Sequence, residues 1–185
     1  MKTYTIVAGV NGCGKSSLTG VLRTEVHNLG KIIDVDKLSV ACGGNAIEGG
    51  RQALAIIDEC LEKGICFTQE TTLSGKKTLN TIRRAMEKDY YIRLYYVGLD
   101  TVEESLLRIE NRVKKGGHNI DTEAVVRRFD KRFADLLAVL PYCNEATFYD
   151  NDNGFVTVAR YTNGELQPIG HRMPAWLQEM MEMMT

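Results

Sequence analysis

Residues 3–8 form an apolar, β-rich run that passes directly into Gly9-Val10-Asn11-Gly12-Cys13-Gly14-Lys15-Ser16. Apolar residues then recur at helical spacing, at Leu18, Val21, Leu22, Val26 and Leu29, and Gly30 is the expected stop. A strand, a G-x-x-x-x-G-K-S turn and a helix, in that order, are the context of a P-loop. The glycines let successive backbone N–H groups point at phosphate oxygens, and the helix adds its positive end. Lys15 is placed to reach the β- and γ-phosphates, and Ser16 to ligate Mg²⁺. Gly9, Asn11, Gly12, Cys13, Gly14, Lys15, Ser16 and Ser17 are the expected ATP contacts, with the Cys13 side chain turned out of the loop.

The rest of the chain alternates strand and helix. Strands are expected at 31–35, 65–69, 90–97 and 147–149. A helix carrying Ala53, Leu54, Ile56, Ile57, Cys60 and Leu61 stops at Gly64. Ser74 is a candidate cap for the next helix, Thr101-x-x-Glu104 has capping-box spacing, and Asp121 caps a helix ending before Pro141. Asn163-Gly164 sits between two β-like arms and signals a hairpin. Trp176, Leu177, Met180, Met181 and Met184 make an apolar stripe, read as packing on a last helix. The expectation is one α/β domain over 1–185. It has a P-loop NTPase core at 2–151 with a mostly parallel five-stranded sheet flanked by helices, a lid at about 108–132, and a C-terminal β-hairpin and helix at 155–185.

In such sheets ligands bind beyond the carboxyl ends of the strands. The chemically capable residues gather there. Asp34 and Asp36 close the second strand, where alternation puts them on one side. Asp36 is the candidate base for an attacking hydroxyl. Glu70 and Thr72 close the third strand; Glu70 is a candidate for a substrate hydroxyl or a water on Mg²⁺ and Thr72 for a substrate phosphate or hydroxyl, although the strand lacks the apolar-run-plus-Asp ending of a standard Walker B. After the fourth strand, Arg108, Arg112 and Lys115 share a helical face. Gly116-Gly117-His118 makes a hinge, and Arg127-Arg128 follows. Arginines on such a lid neutralise charge developing on a transferred phosphoryl group.

Composition excludes more than it assigns. The net charge of -1 argues against nucleic acid as the main partner. The five cysteines are odd in number and hold no C-x-x-C, which reads as reduced cytoplasmic thiols rather than a disulfide framework or a zinc site. The start of the chain has no signal-peptide layout, and no apolar run is long enough to span a bilayer.

Together, A-G-V-N-G-C-G-K-S-S, D-V-D, Q-E-T-T-L-S-G, R-V-K-K-G-G-H-N-I with R-R-F, and Tyr149-Asp150-Asn151 resemble the zeta-toxin family of P-loop kinases over residues 2–151, and its short single-domain members most. Family members phosphorylate the 3′-hydroxyl of UDP-N-acetylglucosamine with ATP. The resemblance implies ATP and Mg²⁺ at Lys15 and Ser16, Asp36 as base, Glu70 and Thr72 at the substrate, and Arg112 with Arg127 or Arg128 on the phosphates. It also implies Asn151 near the adenine. The C-terminal hairpin and helix are candidates to cover the sheet edge, to form a dimer contact or to meet an antitoxin-like partner. Asp34 stands where the family usually has Asn.

The reading is therefore an ATP- and Mg²⁺-dependent small-molecule kinase. Lys15, Asp36, Arg112 and Arg127 are its catalytic residues, and Asp34, Asp36, Glu70 and Thr72 are its substrate-side residues. Alternatives are a kinase for another acceptor (antibiotic, sugar or nucleotide) and a nucleotide-dependent switch that acts through a partner.

Overall fold

The computed structural model describes residues 1–184. A seven-stranded sheet runs in the order β2-β3-β1-β4-β5-β6-β7. Its strands are β1 (Thr3–Gly9), β2 (Lys31–Asp34), β3 (Phe67–Thr71), β4 (Tyr91–Gly98), β5 (Glu145–Asp150), β6 (Val156–Thr162) and β7 (Glu165–Pro168). The first five are parallel, and β5, β6 and β7 pair antiparallel. The expected hairpin is thus part of the sheet and carries it from five strands to seven. Asn163 and Gly164 turn it with φ 54 and 83, as a type I′ turn requires.

Among the described residues eight α-helices cover the sheet: α1 (Lys15–Glu25), α2 (Val35–Ala41), α3 (Ala46–Lys63), α4 (Lys77–Met86), α5 (Val102–Lys114), α6 (Thr122–Asp130), α7 (Arg132–Val139) and α8 (Ala175–Glu182). β1 is central and buried along its whole length, so both of its faces meet helices. Tyr4, Ile6 and Ala8 pack with α3, α4, α7 and α8, and Val7 packs with Leu18 and Leu22 of α1. The stripe on α8 is core: Trp176, Leu177 and Met180 are buried. The Trp176 indole N–H donates to Asp150 Oδ1 at 3.1 Å, and its backbone N–H donates to Asp100 Oδ1 at 2.8 Å. Arg132 stacks on Phe129 and Phe133 and pairs with Glu179 at 2.5 Å, which ties the α6–α7 junction to α8.

Several boundaries differ from the sequence reading. α1 ends at Glu25, where Val26 turns extended, and Gly30 instead takes φ 61 in the turn into β2. A Cβ on Gly30 would lie 1.7 Å from the Cys66 carbonyl oxygen, so only glycine fits there. The second strand stops at Asp34, whose Oδ1 accepts from the N–H groups of Asp36 and Lys37 and so starts α2. Asp34 and Asp36 therefore do not share a strand face. Ser74 caps no helix; it accepts from Thr72 Oγ1 at 3.1 Å, and α4 starts at Lys77 without a side-chain cap. The caps at Thr101 and Asp121 form as expected.

Candidate active site

The loop between β1 and α1 closes around its own lysine. Lys15 Nζ donates to the carbonyls of Gly9 and Val10, both at 3.0 Å, which holds the ammonium over the loop. Gly14 has φ 103, and a Cβ there would lie 2.6 Å from Asn151 Nδ2. The closeness has a purpose, because Asn151 Nδ2 donates to the Cys13 carbonyl at 2.9 Å and props the loop from the end of β5. The Cys13 side chain is buried in the cluster with Val7, Leu18 and Tyr95. It leaves the loop toward the core, not toward solvent. Burial pushes its thiol up, against the opposing pull of the Lys15 ammonium.

Parallel pairing sets Glu70 of β3 beside Val7 of β1. This brings the end of β3 under the start of α1, where Ser16 Oγ donates to Glu70 Oε2 at 2.7 Å. Glu70 is buried, and its Oε1 has no hydrogen-bond partner among the described residues. A serine hydroxyl and a half-satisfied carboxylate are hard oxygen donors of the kind Mg²⁺ takes, alongside phosphate oxygens. Among the described residues no cluster of three or more His, Cys, Asp or Glu could hold a metal unaided. The donors present therefore fit a cation that arrives with a nucleotide.

Asp34 is engaged locally. Besides the cap, its Oδ2 pairs with Lys37 at 3.1 Å. An Asn would cap equally well, so the acid costs the helix start nothing. Asp36 is exposed on the first turn of α2 and faces the cavity. Thr72 follows β3 on the same cavity wall.

The basic segment folds over the loop. Ser105 Oγ donates to the Asn11 carbonyl at 2.5 Å, which seats α5 on it. Arg108 pairs with Glu104 and donates to the Asn151 carbonyl at 2.5 Å. Arg112 donates to the His118 carbonyl at 2.6 Å, while its Nε is buried without a partner. Arg128 Nη1 donates to Asn11 Oδ1 at 3.1 Å. One cavity of about 890 Å³ joins these parts, with Asn11, Gly12, Gly14, Lys15, Ser16, Ser17, Asp34, Asp36, Glu70, Thr72, Arg108, Arg112 and Arg128 in its wall. Gly9, Cys13 and Asn151 support the loop from outside that wall. Arg127 is exposed and also lies outside it, so of the two adjacent arginines only Arg128 faces the cavity. The sequence reading did not place Ala53, Leu54, Ile57 or Lys77 at the site, yet they continue the wall past Asp36.

No protein-family model matches the chain. An uncharacterised protein of Haemophilus influenzae is 33 % identical over 126 residues, spanning 65 % of this chain and 88 % of that protein. Among solved structures, one from the PezAT chromosomal toxin–antitoxin system of Streptococcus pneumoniae has a TM-score of 0.64 and 15 % identity, covering 99 % of this chain and 84 % of that one. A chain of the AvrRxo1-ORF1:-ORF2 complex with ATP has a TM-score of 0.67 and 15 % identity, covering 99 % of this chain and 63 % of that one. Among the described residues no helix is long and apolar enough to cross a membrane. The chain belongs to the family of the Haemophilus influenzae protein, and its fold is that of the zeta-toxin-like P-loop kinases.

Proposed function

We propose that the protein is an ATP- and Mg²⁺-dependent kinase that transfers the γ-phosphoryl group to a hydroxyl of a small molecule. The observation that carries this is one cavity whose wall holds Lys15 and Ser16, Asp36, and residues of α3 and α4 together. A nucleotide switch needs only the part of that space at Lys15 and Ser16.

In this reading the loop and Lys15 hold the β- and γ-phosphates. Ser16 and Glu70 hold Mg²⁺, which when bound offsets charge on the phosphate oxygens. Asp36 accepts the proton of the acceptor hydroxyl as its oxygen bonds to the γ-phosphorus. The bond from that phosphorus to the bridging oxygen breaks, and ADP leaves with the electron pair. Arg128 and Arg112 face the transferred group, where arginines are worth most. Use of ATP implies the cytoplasm. The likeness to a toxin–antitoxin structure extends the proposal to a neutralising protein partner.

The test is ADP release with Mg²⁺, with and without UDP-N-acetylglucosamine, followed by mass analysis of the acceptor. A gain of one phosphate that is lost in Lys15→Ala and Asp36→Asn supports the zeta-type reaction. ATP binding without change in the sugar nucleotide redirects the search to other hydroxyl compounds.

A further inference from the structure

Two glycines of the phosphate loop line the cavity, Gly12 and Gly14, with φ 76 and 103. Glycine takes such angles without strain, so the peptide planes beside it also turn with little resistance. Each of the two planes is braced from outside. The plane joining Asn11 to Gly12 is held at its carbonyl, which accepts from Ser105 Oγ at 2.5 Å. The plane joining Cys13 to Gly14 is held the same way, its carbonyl accepting from Asn151 Nδ2 at 2.9 Å. Neither Ser105 nor Asn151 borders the cavity. A trans peptide points its N–H opposite to its C=O. Pinning the two carbonyls therefore turns the N–H groups of Gly12 and Gly14 away from the braces, as a nest for phosphate oxygens requires.

The braces are themselves fixed. Ser105 is fully buried on α5. The Asn151 carbonyl accepts from Arg108 Nη2 at 2.5 Å, so the same helix holds both. The approach is also close. A Cβ on Gly12 would lie 2.8 Å from the Ser105 carbonyl oxygen, and one on Gly14 would lie 2.6 Å from Asn151 Nδ2. Without the braces the glycine planes would sample turned states. A ligand that needs both N–H groups would then bind only the fraction still aligned. That loss falls on the phosphates and leaves the base untouched. The Asn151 amide thus serves the loop, where the family resemblance implies a place near the adenine.

Resting on the nucleotide-binding part of the kinase reading, we propose that Ser105 and Asn151 are positioning residues that hold the Gly12 and Gly14 N–H groups ready for the phosphates and make no contact with the base. Calorimetry on the full chain gives Kd for Mg²⁺-ATP and for inorganic tripolyphosphate with Mg²⁺, in the parent, Ser105→Ala and Asn151→Leu. Each change should weaken both ligands by the same factor, about three- to tenfold, as expected for loss of one net hydrogen bond. Thermal unfolding without ligand checks that each variant is folded, and Asn151→Ala, which adds no bulk, replaces the leucine variant if that one is not. Asn80→Leu is the control and should leave both Kd values unchanged, since Asn80 is exposed on α4 and outside the cavity wall. If the Asn151 variant weakens ATP alone, or by a clearly larger factor than tripolyphosphate, that side chain contacts the base and the proposal is overturned. Unchanged affinity in either variant overturns it too. So does a parent chain that binds ATP but not tripolyphosphate, because the loop would then not hold phosphates unaided. Each of these results leaves the kinase reading standing. Failure of the parent chain to bind ATP removes that reading itself.

Discussion

Glu70→Gln should stabilise the protein and disable it at once. Glu70 is 7 % exposed; its Oε2 accepts from Ser16 and its Oε1 meets no protein donor. A buried polar group left unpaired costs about 1–3 kcal/mol, and more when it is charged. Glutamine keeps the shape and the Ser16 bond, and it replaces a buried charge by a neutral amide that desolvates more cheaply. The net gain is about 1 kcal/mol, which for a chain of this size raises the unfolding midpoint by roughly 2–4 °C. On the proposed function the same change removes a carboxylate from the Mg²⁺ donors. Loss of one such electrostatic contact lowers turnover by about 10²–10³. The assay is thermal unfolding with and without Mg²⁺-ATP, beside ADP release. The variant should melt higher alone, gain less from Mg²⁺-ATP, and turn over slowly. A variant that melts lower without ligand and keeps its turnover would show that Glu70 is a structural acid, and the proposed Mg²⁺ role would fail.

Asp36→Asn should lower kcat by about 10²–10⁴ with little change in the ATP KM, as expected for loss of a general base; unchanged kcat would remove the assignment. Arg128→Ala should cost more turnover than Arg127→Ala, because only Arg128 faces the cavity; equal losses in steady-state assays would contradict that placement. Trp176→Ala empties a fully buried indole site and strips a donor from Asp150, which should cost about 3–5 kcal/mol in a urea titration. The Cys143 thiol is pushed up by burial from 9.0 to about 12, so the unfolded chain ionises first as pH rises. Its contribution is intact below the ordinary thiol range and is lost as pH climbs toward the folded value, by at most about 1.4 kcal/mol per pH unit. Urea midpoints across alkaline pH should therefore fall less steeply in Cys143→Ala than in the parent chain.

The fold was legible wherever local signals agreed with each other. β1, the glycine loop and α1 lie next to one another in sequence, and Gly9, Gly12 and Gly14 stand where a positive φ demands glycine. Asp34-Val35-Asp36 was harder to read, because a β-branched residue between two acids suits a strand end and a helix start equally. The Asp34 carboxylate decides it by capping two backbone N–H groups. The length of the sheet was hidden for a different reason. Asn163-Gly164 announces a hairpin, but nothing local says that β6 will pair with β5 across the irregularity at Phe148 and Tyr149.

At the site, what the sequence did not show is set by register and by helix phase. Ser16 and Glu70 are far apart in the chain and meet only because β1 and β3 run in parallel with Val7 opposite Glu70. Helix phase separates Arg127 from Arg128. Val125 and Phe129 are buried and fix the inward face of α6. At about 100° per residue, Arg127 falls roughly 200° from Val125, on the far side, and Arg128 falls about 60° from it, beside the buried face. That calculation was available from the sequence once Val125 and Phe129 were taken as the core pair. On α3, Ala53 and Ile57 do belong to the core, as their spacing suggests, yet they also border the cavity. Leu54 sits one residue along, turned to the edge of the same face, so a single apolar stripe both holds α3 to the sheet and lines the space beyond Asp36.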